Sequence, residues 1–249
     1  ADYLISKYPP LKSVIKEYVG SYELINNKKR FCLWLNKVSP AVYRNIPEIN
    51  QRLAGVTATR RATQTAVVRA QADTPSLFSQ IRQPESNYLA VPEVSSQNRR
   101  YVPISFMPPD VIASNKLFLV PNATVYMFGV MESNVHMAWM RVVCGRLKSD
   151  YSYSPSVYNN FPWPDPSDAQ KAAIEKTAQA ILDARALYPD ASLADLYDPL
   201  SMPPELLKAH QANDRAVMQA YGMPIKETDE AACVAWLMRL YQEKVSAQV

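Results

Sequence analysis

Lys148-Ser-Asp-Tyr-Ser152 gathers a cation, a carboxylate and several hydroxyls into one short stretch. In an extended segment side chains alternate, so Lys148, Asp150 and Ser152 would point the same way. A lysine ammonium donates to guanine O6 and N7, and a carboxylate accepts from cytosine N4. Held side by side, the two have the chemistry to read both members of one G·C pair. The plainer alternative is a surface pair that neutralises itself, stabilising the protein by well under about 1 kcal/mol. Cations suited to phosphate are Lys28, Lys29, Arg30, Arg52, Arg60, Arg61, Arg69, Arg99 and Arg100. Arg99-Arg100 follows Ser95-Ser-Gln-Asn98, where the side chains of Ser95, Ser96, Gln97 and Asn98 can themselves bond phosphate or base edges. Any one of these arginines, taken alone, is equally well a solvated charge.

Catalytic chemistry finds less support. The glycines Gly20, Gly55, Gly129, Gly145 and Gly222 are isolated, so neither G-x-G-x-x-G nor a Walker loop is present. The base-gripping [DNS]-P-P-[YFW] loop of amino-methyltransferases is approached only by Met107-Pro-Pro-Asp110 and Met202-Pro-Pro-Glu205, which lack both flanking residue types. No acidic residue is followed by lysine two positions on, as a common metal-dependent nuclease motif requires. Two histidines and the scattered Cys32, Cys144 and Cys233 do not make a zinc site. His136 beside Ser133 suggests a hydrolase pair, but no glycine-framed nucleophile elbow accompanies it. His210 reads as a surface residue. The chain is expected to be non-catalytic, with no metal and no cofactor of its own.

The elements that must position these residues divide at a proline-rich connector, Phe161-Pro-Trp-Pro-Asp-Pro166. Residues 1–164 hold 19 Lys+Arg and 10 Asp+Glu, a net +9, whereas 165–249 hold 8 and 13, a net −5. That asymmetry points the first part towards a polyanion. A protein-interaction scaffold whose basic face meets an acidic partner is the alternative. In residues 1–164, strands are predicted at 30–35, 88–92, 101–106 and 123–128, and helices at 47–72 and 133–147, the latter burying Val135, Trp139, Val142 and Val143. In residues 165–249 the pattern is helical: a capping box from Ser167 to Gln170 opens one helix, a second runs from Pro204 to Tyr221 with Gly222 as its stop, and a third begins near Thr228. The expected fold is α+β, a mixed-sheet domain with helical insertions over 1–164 and a small all-helical unit over 165–249. No apolar run is long enough to span a bilayer, no signal peptide opens the chain, and the cysteines suit a reducing compartment, so a cytoplasmic location is expected.

Longer strings carry a resemblance. Residues 19–35, Val-Gly-Ser-Tyr-Glu-Leu-Ile-Asn-Asn-Lys-Lys-Arg-Phe-Cys-Leu-Trp-Leu, resemble the opening of the target recognition domain of MmeI-like (type IIL) restriction–modification enzymes. Ile81-Arg-Gln-Pro84, Val94–Pro103, Asp110–Ser114, Ser133–Trp139, Gly145–Ser154 and Val157–Pro164 continue it in order, and Tyr197–Leu200 and Leu206–Gln211 resemble the family's C-terminal helical segment. The resemblance implies a bacterial parent polypeptide whose methyltransferase domain, using S-adenosylmethionine, methylates adenine N6. The present chain would be the part that recognises a double-stranded DNA sequence, with that methyltransferase domain as its partner in the same polypeptide. It also implies base-reading residues at Lys148, Asp150 and Ser152, and a second region at Ser114-Asn-Lys116, where Asn115 and Lys116 would contact another base pair.

Overall fold

Nine short strands occur among residues 1–247, which the structure, a computed structural model, describes. They are β1 (Ile15–Val19), β2 (Phe31–Leu33), β3 (Tyr88–Pro92), β4 (Val94–Ser95), β5 (Ser105–Met107), β6 (Ile112–Ala113), β7 (Leu117–Pro121), β8 (Gly145–Leu147) and β9 (Asp150–Ser152). The helices before the connector are α1 (Asp2–Lys7), α2 (Ser21–Asn26), α3 (Pro47–Ala62), α4 (Ala66–Arg69), α5 (Val125–Met131), α6 (Asn134–Val143) and α7 (Pro155–Asn159). Beyond it come α8 (Asp168–Ala186), α9 (Leu193–Leu196), α10 (Pro204–Ala220) and α11 (Glu230–Ser246). The fold is α+β, and it forms two compact units. One comprises residues 1–19, 29–85 and 109–113; the other comprises 20–28, 86–108 and, of the described residues, 114–247.

In the first unit β1 pairs antiparallel with β2 and parallel with β6. Leu11, Val14, Leu35, Tyr43, Ile46 and Ile49 form its core. The helix predicted over 47–72 is interrupted: α3 ends at Ala62, and Thr63 is extended with its hydroxyl accepting from Thr65 N at 3.3 Å. Such a side-chain bond offers the backbone an alternative to the helix. Arg60 then ties down the succeeding loop, donating to the carbonyls of Gln71 and Thr74 at 2.9 Å and of Leu77 at 2.6 Å.

In the second unit the apolar run Tyr88–Val91 is fully buried as β3, between antiparallel β5 and β7. This is how a central strand reads when both faces are covered. The run 123–128, predicted as a strand, is instead the start of α5. Thr124 caps that helix, accepting from Met127 N at 3.2 Å, and Gly129 lets it pack closely on α8. A Cβ at 129 would stand 2.8 Å from both Ala178 Cβ and Ile174 Cγ2. Of the stretch 101–106 only its end joins a strand, β5. The helix predicted over 133–147 stops at Val143, and Val142 is exposed. Residues 145–147 pair with β9 instead.

The Ser167–Gln170 capping box forms, and Ile174, Ala178 and Ile181 are buried along α8. Gly222, at φ +69°, follows α10 as predicted, and α11 is capped by Asp229. A continuous core runs from Leu89 through Trp139 and Phe161 to Ile174, Val217 and Leu237, so the segments on either side of the proline-rich connector share one interior. Within it lies a polar knot. Arg185 donates to Glu132 Oε1 and to Ile104 O, each at 2.7 Å, and also binds the Tyr197 hydroxyl. His210 is buried here, contrary to its reading as a surface residue. Its Nε2 meets Tyr197 Oη at 2.8 Å, and Tyr101 stacks on its ring at 4.0 Å. Burial holds His210 well below the usual histidine range and pushes Glu132 up to about 7, against the opposing pull of Arg185.

Candidate nucleic-acid interface

The residues 148–152 do not form one extended segment. Leu147 and Asp150 are the last paired residues of β8 and β9, so Lys148 and Ser149 make a two-residue hairpin turn. Lys148 takes φ +56°, a left-handed conformation that a two-residue turn favours and that glycine adopts most cheaply. Its side chain is therefore exposed at the hairpin tip. Asp150 and Ser152 do share a face of β9, as the alternation predicts. The turn is braced by Arg146, which donates to Ser149 O at 3.1 Å while its guanidinium lies 4.0 Å from the ring centroid of Tyr151 on the opposite face.

β9 is the middle strand of a second antiparallel sheet, ordered β4-β9-β8. The chain leaving β4 folds over Asp150: Gln97 N donates to Asp150 Oδ1 at 3.3 Å, leaving the other carboxylate oxygen for a ligand. Ser96 Oγ accepts from Asn98 N at 3.3 Å and is half-buried. Ser95 pairs with Tyr151, which puts it on the inner face. Its buried hydroxyl has no hydrogen-bond partner, so it is not the surface donor the sequence suggested. Arg99 is half-buried. Burial lowers its guanidinium below the usual value, and Asp150 and Asp198 oppose that shift. Arg100 is exposed, 5.8 Å from the Tyr101 ring centroid.

The 114–116 stretch lies against the same strand through Glu93, whose N–H donates to Lys116 O at 3.1 Å and whose carbonyl accepts from Tyr153 N at 2.7 Å. Lys116 Nζ stands 4.0 Å from Glu93 Oε2, and Asn115 is exposed beside it. Ser114 Oγ accepts from Lys116 N at 3.2 Å, and Ser21 Oγ donates to Lys116 O. Thus the hairpin and the chain leaving β4 bring Lys148, Asp150, Ser152, Ser96 and Arg99 together, and Asn115 and Lys116 join at the Ser152 end of β9 through Glu93, whereas Arg100 lies beside Tyr101, whose hydroxyl donates to Asp214.

Arg60 and Arg61 belong to the first unit. Arg60 is buried with its guanidinium donating to three backbone carbonyls, which corrects its reading as a phosphate contact. Arg61 is exposed and 3.2 Å from Asp73. Arg69 donates to Thr63 O at 3.0 Å. The Ser133–His136 pair is also corrected: Ser133 Oγ caps α6 by accepting from His136 N at 3.3 Å. The imidazole instead meets Met131 O at 2.8 Å and Tyr153 Oη at 3.1 Å. Burial lowers His136 to about 4. Among the described residues no group of three His, Cys, Asp or Glu side chains is placed to hold a metal ion, and no helix is long and apolar enough to cross a membrane.

The sequence offered Gln97 for its side chain, whereas it acts through its backbone N–H, and it gave no sign of Glu93, whose backbone joins Lys116 to Tyr153. Residue reasoning also missed Arg146, whose alternation with Lys148 was hidden by the helix predicted over 133–147.

The MmeI target recognition domain model matches residues 1–165, and the MmeI C-terminal domain model matches 166–249. A Bacillus subtilis (strain 168) protein named DNA methyltransferase A is 38% identical over 240 residues, covering 96% of this chain. The solved structure of the type IIL restriction–modification enzyme MmeI in complex with DNA matches with a TM-score of 0.94 and 43% identity over 98% of this chain. The chain spans 27% of the first of these proteins and 33% of the second. It belongs to the MmeI family, as that family's target recognition domain followed by its C-terminal domain.

Proposed function

We propose that this chain reads the sequence of duplex DNA for an adenine-N6 methyltransferase of the restriction–modification type, whose catalytic domain lies elsewhere in the same polypeptide. The β8–β9 hairpin enters the major groove. Lys148 donates to guanine O6 and N7, and the free oxygen of Asp150 accepts from cytosine N4. Ser96 and Arg99 flank that pair, Arg99 and the exposed Arg100 fix the register on phosphates, and Asn115 and Lys116 contact another base pair. The kinship with an enzyme solved on DNA supports the reading. The observation that carries it is a lysine held at positive φ on a hairpin tip, beside a carboxylate oriented by the Gln97 N–H. A surface pair that merely neutralised itself would need neither device.

S-adenosylmethionine does not fit these residues. Gly20, between β1 and α2, stands where a strand-to-helix turn would cradle a nucleotide-like cofactor. Ser114 Oγ and Glu23 Oε2 already occupy that space, lying 2.8 and 2.9 Å from where a Cβ would be. The methyl donor is accordingly assigned to the partner domain. The test is the double exchange Lys148→Asp with Asp150→Lys in the full-length polypeptide, read by sequencing methylated genomic DNA from expressing cells. One position of the methylated motif should relax or switch, and an unchanged motif refutes the proposal.

A further inference from the structure

Beside Asp150, and on the same face of the hairpin, stands an apolar side chain with no partner in the core. Leu147 is 58% exposed, and it is the residue directly opposite Asp150 in the β8–β9 register. Directly opposed residues in an antiparallel pair project to one side with their Cβ atoms about 4.5–5.5 Å apart. The next pair inward on that face is Gly145 with Ser152, which leaves no bulky neighbour behind Leu147. A Cβ at 145 would have only Ser152 Cβ near it, at 3.9 Å. Near the turn, therefore, the face carries a carboxylate and an isobutyl group side by side. Cytosine presents the complementary pair in the major groove, since the N4 amino group and the C5–H are adjacent on its edge.

We propose that Leu147 is a specificity-determining residue that packs against the C5 edge of the cytosine whose N4 is held by Asp150. The proposal rests on the base-reading role given to Asp150 above. A methyl group on that C5 gains an apolar contact with a side chain that is free to adjust, and a hydrogen does not. Leu147 thereby makes recognition responsive to cytosine-5 methylation within the site.

The experiment measures equilibrium binding of the full-length polypeptide to its methylome-derived duplex, with either cytosine or 5-methylcytosine at that single position. Wild type should bind the 5-methylcytosine duplex roughly three- to fourfold more tightly, the worth of one buried methyl group. In Leu147→Ala the two duplexes should bind alike. Equal binding by wild type, or an unaltered ratio in Leu147→Ala, overturns the proposal. Asp150→Asn, tested on G·C against A·T at the same position, separates the two levels. If it leaves the G·C preference intact, the base-reading role itself falls. If it abolishes that preference while Leu147→Ala changes nothing, only the role of Leu147 falls.

Discussion

Replacing Lys148 with glycine should act on stability and on recognition in opposite directions. The left-handed region costs an L-residue roughly 1–2 kcal/mol relative to the right-handed one, and Lys148 occupies it at φ +56°. Glycine removes that strain but loses more conformational entropy on folding, roughly 0.5–1 kcal/mol. The net is a stabilisation of about 0.5 kcal/mol, since the exposed lysine packs against nothing that would be lost. Recognition moves the other way. Losing a bidentate contact to guanine removes roughly 1–3 kcal/mol of discrimination, which is about 5- to 150-fold in the preference for G·C at one position. Denaturant unfolding and competition binding on the same full-length preparation measure both quantities. A variant that is less stable by 1 kcal/mol or more, and that still discriminates as wild type does, would refute the argument that the lysine is held in a strained turn for the sake of its contact.

Other perturbations address the interior. His136 is neutral in the fold, with burial lowering it to about 4 against an ordinary 6.5, so it takes up fewer protons than the unfolded chain between those values. Its contribution, about 3 kcal/mol, is present above pH 6.5 and lost as the pH falls through 4. Replacing His136→Gln should make stability less steep in that window by up to about 1.4 kcal/mol per pH unit, measured by urea unfolding across pH. Arg185→Met should destabilise by about 3–5 kcal/mol, because Glu132 is then buried without its cation. Adding Glu132→Gln should recover part of that loss, which a double-mutant cycle reads directly. Gly129→Ala should lower stability by roughly 1–3 kcal/mol, through its 2.8 Å approaches to Ala178 and Ile174. Gly145→Ala, with 3.9 Å to its nearest neighbour, should leave the unfolding midpoint nearly unchanged.

What could be seen in the sequence depended on how local each physical signal is. The capping box at Ser167, the 3–4 spacing of Ile174, Ala178 and Ile181, and the stop at Gly222 are settled within a few turns of chain, and they stand as predicted. Residues 123–128 look like a strand because Thr124 and Val125 are β-branched. Their fate was decided by a cap and by a glycine whose helix partner is nearly fifty residues away. The same holds for 145–147, where pairing with β9 overrides a helical pattern that Trp139 and its neighbours carry on their own.

The interface obeys the same rule and extends it. Lysine at 148 and aspartate at 150 offer donor and acceptor chemistry by residue type alone. The mechanism of presentation did not show, because it is a turn at positive φ together with a backbone N–H from residue 97. Arg60 illustrates the converse. Its charge invites a phosphate, but three backbone carbonyls from residues 71–77 enclose it, and only the path of the loop reveals them. A basic residue therefore counts towards recognition only after its hydrogen-bond partners are known. By that criterion Arg60 is set aside, whereas Lys148, exposed at the hairpin tip, and Arg100, exposed beside Tyr101, stay candidates for contact with DNA. Substituting Arg100 should weaken binding with a shallower salt dependence, whereas Arg60→Ala should act on folding of the 63–77 segment alone.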